Sequence, residues 1–286
     1  MCLIAVAWNA HPALRLVVAA NRDELYARPA TPAGWWPDAP DVLAGRDLRE
    51  GGTWMGVTRE GRFAAVTNFR DPGLAQLSDA PSRGALVADF LRGTADAEAY
   101  AHDLASRAAA YNGFNLLVGD DGSLFYLSNR AEGVRRLEPG VYGLSNHLLD
   151  TPWPKVVRTK AAMADALARA DGAGEGWESG LWEMLADRVI AADDDLPDTG
   201  VGAERERLLS PPFIRGDVYG TRASTVLTLA RDGQVRLVER SVEPGGEGWT
   251  EARHAFRVAE ADVAADGALT PLGPRVPLPQ SARERV

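Results

Sequence analysis

Short β-prone runs closed by tight polar turns arrive in blocks along this chain, separated by paired helical stretches, and that order constrains the fold more than any other feature. Residues 3–8 and 14–20 are apolar runs split by Asn9-Ala10-His11-Pro12, a break of the kind that joins hairpin strands. In "GGTWMGVTREGRFAAVTNF" the dipeptide Glu60-Gly61 turns 54–58 back along 63–68. "FNLLVGDDGSLFYLSN" turns on Asp121-Gly122 and "RASTVLTLARDGQVRLVERSV" on Asp232-Gly233, pairs that accept the positive φ of tight hairpin turns. "VRRLEPGVYGLSN" supplies two further short strands. "SRGALVADFLRG" places Leu86, Val87, Phe90 and Leu91 at helical spacing behind Ser82 as a cap, and "ADAEAYAHDLASRAAA" continues as a second helix. A second helical pair is expected over 154–170 and 177–192, joined by the glycine-rich stretch 171–176. Residues 35–47, rich in Pro, Trp, Asp and Gly without periodicity, read as a surface loop, and so does the acidic "DDDLPDTGVG". With no β-α-β alternation, the pattern implies an antiparallel α+β sandwich.

The 286 residues, 45% hydrophobic and 25% charged, suffice for one large domain with a sizeable core. A net charge of −9 with no Lys/Arg cluster argues against nucleic-acid binding, which needs cations to displace phosphate counterions. The single cysteine excludes an intramolecular disulfide and a Cys-rich zinc site, and fits a reducing compartment. No apolar run approaches the length of a membrane span, and the first residues lack the pattern of a signal peptide. These features imply a cytoplasmic protein without stable membrane insertion. They leave its oligomeric state open. From residue 266 onward the Pro-rich, polar composition predicts a disordered tail over 266–286, behind a single domain over 1–265.

That lone cysteine stands directly behind the initiator methionine. Other polar residues gather at expected strand ends: Asn21, Arg22, Asp23 and Glu24 after the second strand, then Asn68, Asn146 and Arg222. If the hairpins run the same way, these residues line one pocket. Removal of Met1 would leave Cys2 with both a thiol and an α-amine able to act as its base. Asp23 would orient that amine, and Asn68 and Asn146 would donate to a developing oxyanion. The plainer readings are a small buried Cys2, a solvated turn at 21–24, and Asn68, Asn146 and Arg222 satisfying backbone groups. His11, His102, His147 and His254 show no metal spacing, although His147 beside Asn146 would suit an axial haem ligand. Trp35, Trp36, Trp54 and Trp153 would line an apolar pocket next to the polar strand ends.

Taken in order, "MC", "AANRDE", "GGTWMGV", "VTNF", "YNGFNLLVGD", "YGLSN", "LLDTPWPK" and "YGTRAST" resemble the NRDE protein family, also called the transport and Golgi organization 2 family. The resemblance runs from Met1 to about Phe256. It implies an N-terminal-nucleophile hydrolase-like fold, a four-layer αββα sandwich of two mainly antiparallel sheets between helical layers. Similarity to penicillin V acylases and conjugated bile acid hydrolases implies Cys2 as nucleophile and Asp23 as the amine-holding aspartate. It further implies Asn68 and Asn146 as oxyanion-site asparagines and Arg222 as the late arginine. Asn21, Arg22, Glu24, Trp54 and His147 are then candidates to contact substrate or ligand. One departure stands out: those amidases carry Arg-Asn-x-Asp where this chain has Ala20-Asn21-Arg22-Asp23. The family's links to haem trafficking and to acyl-CoA or lipid metabolism imply two competing functions. One is a hydrolase of an amide or thioester bond that requires no cofactor. The other is a non-catalytic carrier of haem or an acyl ligand. A scaffold that has lost its chemistry is a third reading.

Overall fold

The computed structural model describes residues 2–170, 176–243 and 248–258. The first hairpin forms as the sequence implies: β1 (Cys2–Trp8) pairs antiparallel with β2 (Leu14–Leu25), Ile4 opposite Ala20 and Val6 opposite Val18. Because strand side chains alternate between faces, one hairpin supplies two cores. Ile4, Val6, Trp8, Leu16 and Val18 enter a core shared with Leu43, Val57, Phe63 and Leu117 of a second sheet. Ala5, Ala7, Val17 and Ala19 face the other way, against helices.

Six strands make the first sheet, in the order β10 (Gly140–Leu144), β1, β2, β11 (Tyr219–Ala230), β12 (Gln234–Val242), β13 (Trp249–Arg257). Seven make the second: β3 (Ala30–Trp36), β4 (Ala39–Asp47), β5 (Met55–Thr58), β6 (Phe63–Asn68), β7 (Phe114–Gly119), β8 (Leu124–Ser128) and β9 (Val134–Arg136). The strand pairs in both sheets are antiparallel. Leu86, Val87, Phe90 and Leu91 of α1 (Arg83–Arg92) and Tyr100, Ala101 and Leu104 of α2 (Ala97–Arg107) cover the outer face of the seven-stranded sheet. Met163 and Leu167 of α3 (Pro154–Arg169) and Leu181, Met184 and Leu185 of α4 (Ser179–Leu185) cover the six-stranded one. The result is the four-layer αββα sandwich. α3 lies so close to β10 that a Cβ on Gly143 would meet Val156 at 2.7 Å, which only glycine avoids.

Several details differ from the sequence reading. Residues 35–47 are not a loop: they belong to β3 and β4, joined by a turn at Pro37-Asp38. Their prolines hide strand character, yet Pro37 sits in the turn and Pro40 is the second residue of β4, before its pairing with β5 begins at Val42, so neither removes a ladder hydrogen bond to β5. The second helical pair is shorter than expected, since α4 stops at Leu185 rather than near residue 192. A further helix, α5 (Ala203–Leu209), and the outer strand β13 were not legible in the pattern. The strands 134–136 and 140–144 belong to different sheets, so the chain crosses the sandwich between them. The tail expected over 266–286 and most of the 171–176 connection lie outside the described residues. No helix among the described residues is long and apolar enough to cross a membrane.

Phe63 is 1% exposed at the centre of the inter-sheet core. Phe63→Ala is expected to lower the unfolding free energy by about 3–5 kcal/mol. A urea titration would register this as a lower midpoint at unchanged slope, and a loss below about 1 kcal/mol would contradict this packing.

Candidate active site

β2 continues past the end of the hairpin core, so Asn21-Arg22-Asp23-Glu24 is strand rather than turn. On one side Cys2 stands opposite Arg22; on the other, β11 places Thr221 opposite Asp23 and Ala223 opposite Arg22. The register therefore skips Arg222, which is the extra residue of a β-bulge. Its guanidinium Nη1 turns to the carbonyls of Leu25, Tyr26 and Arg28 at 2.9–3.0 Å. Arg222 holds the segment after β2 and does not line the cleft at Cys2; Thr221 is the β11 side chain that reaches Asp23, donating to Oδ1 at 2.7 Å.

The cleft has a volume of about 620 Å³ and is lined by Cys2, Arg22, Asp23, Glu24, Trp54, Asn68, Arg83 and Tyr219, among others. Cys2 is half-buried there. Burial pushes its thiol pKa up, and Asp23 adds to that; the amino-terminal charge, Arg22 and the Asp23 backbone N–H pull it down. Asp23 is 1% exposed, and burial raises its carboxyl pKa against the lowering effects of the amino-terminal charge, Lys155, the Thr221 hydroxyl and Arg22. Arg22 lies with its guanidinium 4.5 Å over the Trp54 ring and 3.8 Å from the Glu24 carboxylate. An arginine therefore does stand beside the thiol, delivered two residues later in the strand than in Arg-Asn-x-Asp.

Asn68 and Asn146 meet, in an order the sequence does not reveal. Fully buried Asn146 spends its Nδ2 on the carbonyl oxygen of Asn68 at 3.0 Å and on Asn68 Oδ1 at 2.8 Å. That fixes the Asn68 amide and leaves its Nδ2 at the cleft with no hydrogen-bond partner among the described residues. Asn146 itself is not among the cleft-lining residues. Asn21 points into the helical layer, donating to the Leu185 and Pro212 carbonyls at 2.8 and 2.9 Å and accepting from Ser224 Oγ at 2.6 Å. Glu24 lines the cleft beside Arg22 and Arg28. His147 is turned elsewhere, its Nδ1 2.8 Å from Thr151 Oγ1 and its ring packed between Phe69 and Trp153. Of the four tryptophans considered, Trp54 alone lines the cleft.

Behind Asp23 lie charges that sequence reasoning did not single out. Lys155, in the first turn of α3, is 2% exposed and donates to the Leu209 carbonyl at 2.9 Å. Burial lowers its pKa to about 8 against the pull of Asp23. Arg70 and Glu206 form a buried ion pair at 2.7 Å, with Arg70 4.9 Å over Trp153. Trp153 and Val156 in turn pack on Leu3, which seats the start of α3 against the start of β1. The faint signal for these residues was "LLDTPWPK", whose lysine lies far from Asp23 in sequence.

A porphyrin needs an apolar slot and an axial ligand. Cys2 could supply a thiolate ligand and His147 lies outside the lining, but the walls present Arg22, Glu24, Arg28, Asp47, Glu50 and Arg83 rather than an apolar slot, so these residues do not fit haem. Among the described residues there is no group of three or more His, Cys, Asp or Glu side chains placed to hold a metal ion.

Fold and site together define an αββα sandwich with a thiol at the start of a central strand, flanked by a buried aspartate and an arginine. The chain belongs to the Transport and Golgi organisation 2 family, whose profile matches residues 1–244. It is 36% identical over 282 residues to the Transport and Golgi organization protein 2 homolog of Bos taurus, covering 90% of this chain and 99% of the relative. Identity to the Homo sapiens homolog is 34%, covering 85% of this chain and 93% of the relative. Among solved structures, it is similar to a Caenorhabditis elegans N-acylethanolamine-hydrolyzing acid amidase ortholog, with TM-score 0.45, 13% identity, and 79% and 92% of the two chains covered. It is also similar to the C2A mutant of the conjugated bile acid hydrolase of Clostridium perfringens, with TM-score 0.41, 11% identity, and 90% and 92% covered.

A lysine whose folded pKa is about 8 against 10.5 unfolded binds fewer protons folded than unfolded between those values. Its burial cost is therefore fully present below pH 8 and disappears as pH rises to 10.5. Relative to Lys155→Met, the wild-type protein is expected to gain up to about 3 kcal/mol of unfolding free energy between pH 7.5 and 10.5. Urea titrations of both proteins at the two pH values check this, and a constant difference would refute it.

Proposed function

We propose that this protein is a cysteine N-terminal-nucleophile hydrolase-like enzyme that cleaves an amide or thioester (acyl) bond of a small-molecule substrate through Cys2. The observation that carries the reading is the register of β1 on β2, which presents a half-buried Cys2 to the cleft opposite Arg22 and beside the buried Asp23. Removal of Met1 gives Cys2 a free α-amine. The amine takes the thiol proton, and Sγ attacks the substrate carbonyl carbon, forming a C–S bond and an oxyanion. Asn68 Nδ2, fixed by Asn146, donates to that oxygen; such a donor is worth about 3–4 kcal/mol in the transition state. Asp23 accepts a hydrogen bond from the amine and orients it. Collapse breaks the bond to the leaving amine or thiol, which takes the proton from the ammonium. Water then attacks the acyl-enzyme, with the amine again as base, and releases the acid. A reducing cytoplasm would keep the lone cysteine as a thiol.

Intact mass before and after brief iodoacetamide treatment at neutral pH, with Cys2→Ala as control, tests the first requirement. The expected outcome is a chain lacking Met1 that takes up one label, absent in Cys2→Ala. A panel of amides and thioesters is then expected to show turnover that Cys2→Ala lowers about a thousandfold or more in kcat/KM. Met1 retained, or Cys2 unlabelled in the folded protein, would overturn the hydrolase reading and favour a carrier of an acyl ligand.

A further inference from the structure

Of the three arginines that line the cleft, Arg22 and Arg28 lie within ion-pair distance of a carboxylate and, among the described residues, Arg83 does not. Arg22 lies 3.8 Å from Glu24; Arg28 pairs with Asp47 at 2.5 Å; Arg70 pairs with Glu206 at 2.7 Å. Arg83, the first residue of α1, lines the same cleft and is partly buried. It donates Nη1 to the Gly113 carbonyl at 3.1 Å, and among the described residues no carboxylate stands within ion-pair distance of it. Burial works against its charge, while Cys2 and Glu24 act in its favour and Arg28 against. A guanidinium stripped of part of its water and given one neutral acceptor is a standing cost in the free protein. A planar anion that enters the cleft removes that cost, because the guanidinium fork matches carboxylate and phosphate oxygens two at a time. The local backbone acts in the same direction. Ser82, Arg83 and Gly84 line the cleft at the start of α1, where the helix dipole is positive.

We propose that Arg83 selects, for the reaction at Cys2, substrates that carry an anionic group, a carboxylate or a phosphate, on the part that lies between Cys2 and the start of α1. This rests on the hydrolase reading for the reaction but not for the anion site. Arg22, stacked on Trp54 and shared with Glu24, and Arg28, held by Asp47, shape the walls.

Two alkylating reagents of nearly equal size separate charge from shape. Iodoacetate and iodoacetamide both react when Sγ displaces iodide, but the first carries a carboxylate. The rate ratio of iodoacetate to iodoacetamide at Cys2, divided by the same ratio for a free cysteine peptide, is expected to exceed unity by about tenfold at low salt and to fall as salt screens it. In Arg83→Gln the normalised ratio is expected to return to about one, whatever the change in the iodoacetamide rate itself, and Arg83→Lys is expected to retain part of the preference. Protection of Cys2 by inorganic phosphate rather than acetate would identify a phosphate as the preferred group, and the reverse a carboxylate. A normalised ratio near one in the wild-type protein, or one that Arg83→Gln leaves unchanged, overturns the proposal. If neither reagent labels Cys2, the hydrolase reading fails by itself, and calorimetric titration with phosphate and with acetate decides the anion site. Binding lost in Arg83→Gln upholds it; no binding of either anion, or equal binding by both proteins, overturns it.

Discussion

Everything at this site depends on β2 being paired on both edges. A strand end left unpaired frays, and a one-residue slip turns every side chain to the opposite face. Here β1 and β11 grip β2 as far as Arg22 and Leu25 respectively, and the alternation then separates the roles. Arg22 goes to the inner face with Cys2, while Asn21 goes to the helices, where it joins α4 and the 212 carbonyl to the sheet. A residue as near a chain end as Cys2 is held in place because its neighbours in space are the middle of a sheet.

The second constraint is electrostatic. Asp23, Lys155, Arg70 and Glu206 are all nearly inaccessible to water, and an isolated charge at such depth costs several kcal/mol. The four survive because two are cations and two are anions, with hydrogen bonds from Thr221 to Asp23 and from Lys155 to Leu209 taking up further capacity. Removing one partner leaves another uncompensated, which makes the cluster stiff. Stiffness would suit the role proposed for Asp23, aiming an amine, which a wet aspartate would hold loosely and a protonated one wrongly.

Most of the strand order was legible because hairpin turns and apolar alternation are local signals. The end of β3 and β4 were not, since Pro37 and Pro40 suggest a loop, and only the turn at Pro37-Asp38 and the place of Pro40 before β4 meets β5 make them tolerable. Cys2, Asp23 and Asn68 were legible as polar groups at strand ends. Arg222 misled for a physical reason: a bulge is invisible in an alternating pattern, yet it gives the facing position to Thr221. Lys155, Arg70, Glu206 and Arg83 reach the site from separate elements, and no local spacing announces a meeting of α1, α3, α5 and the end of β6.

The cleft lies where the two sheets are tied together. Thr67 Oγ1 donates to the Ser145 carbonyl at 2.7 Å, the Arg70 N–H to the Asn146 carbonyl at 2.7 Å, and Asn146 Nδ2 to Asn68, so the ends of β6 and β10 are laced across the sandwich. The thiol belongs to the six-stranded sheet and the Asn68 amide to the seven-stranded one. Their separation is thus set by how the inner faces pack and by this lacing, not by either sheet alone. Interiors are close-packed and shift by discrete repacking, so the distance from Sγ to the amide donor is as well defined as the core beneath it. The same apolar alternation that makes the chain fold also sets the geometry of the cleft.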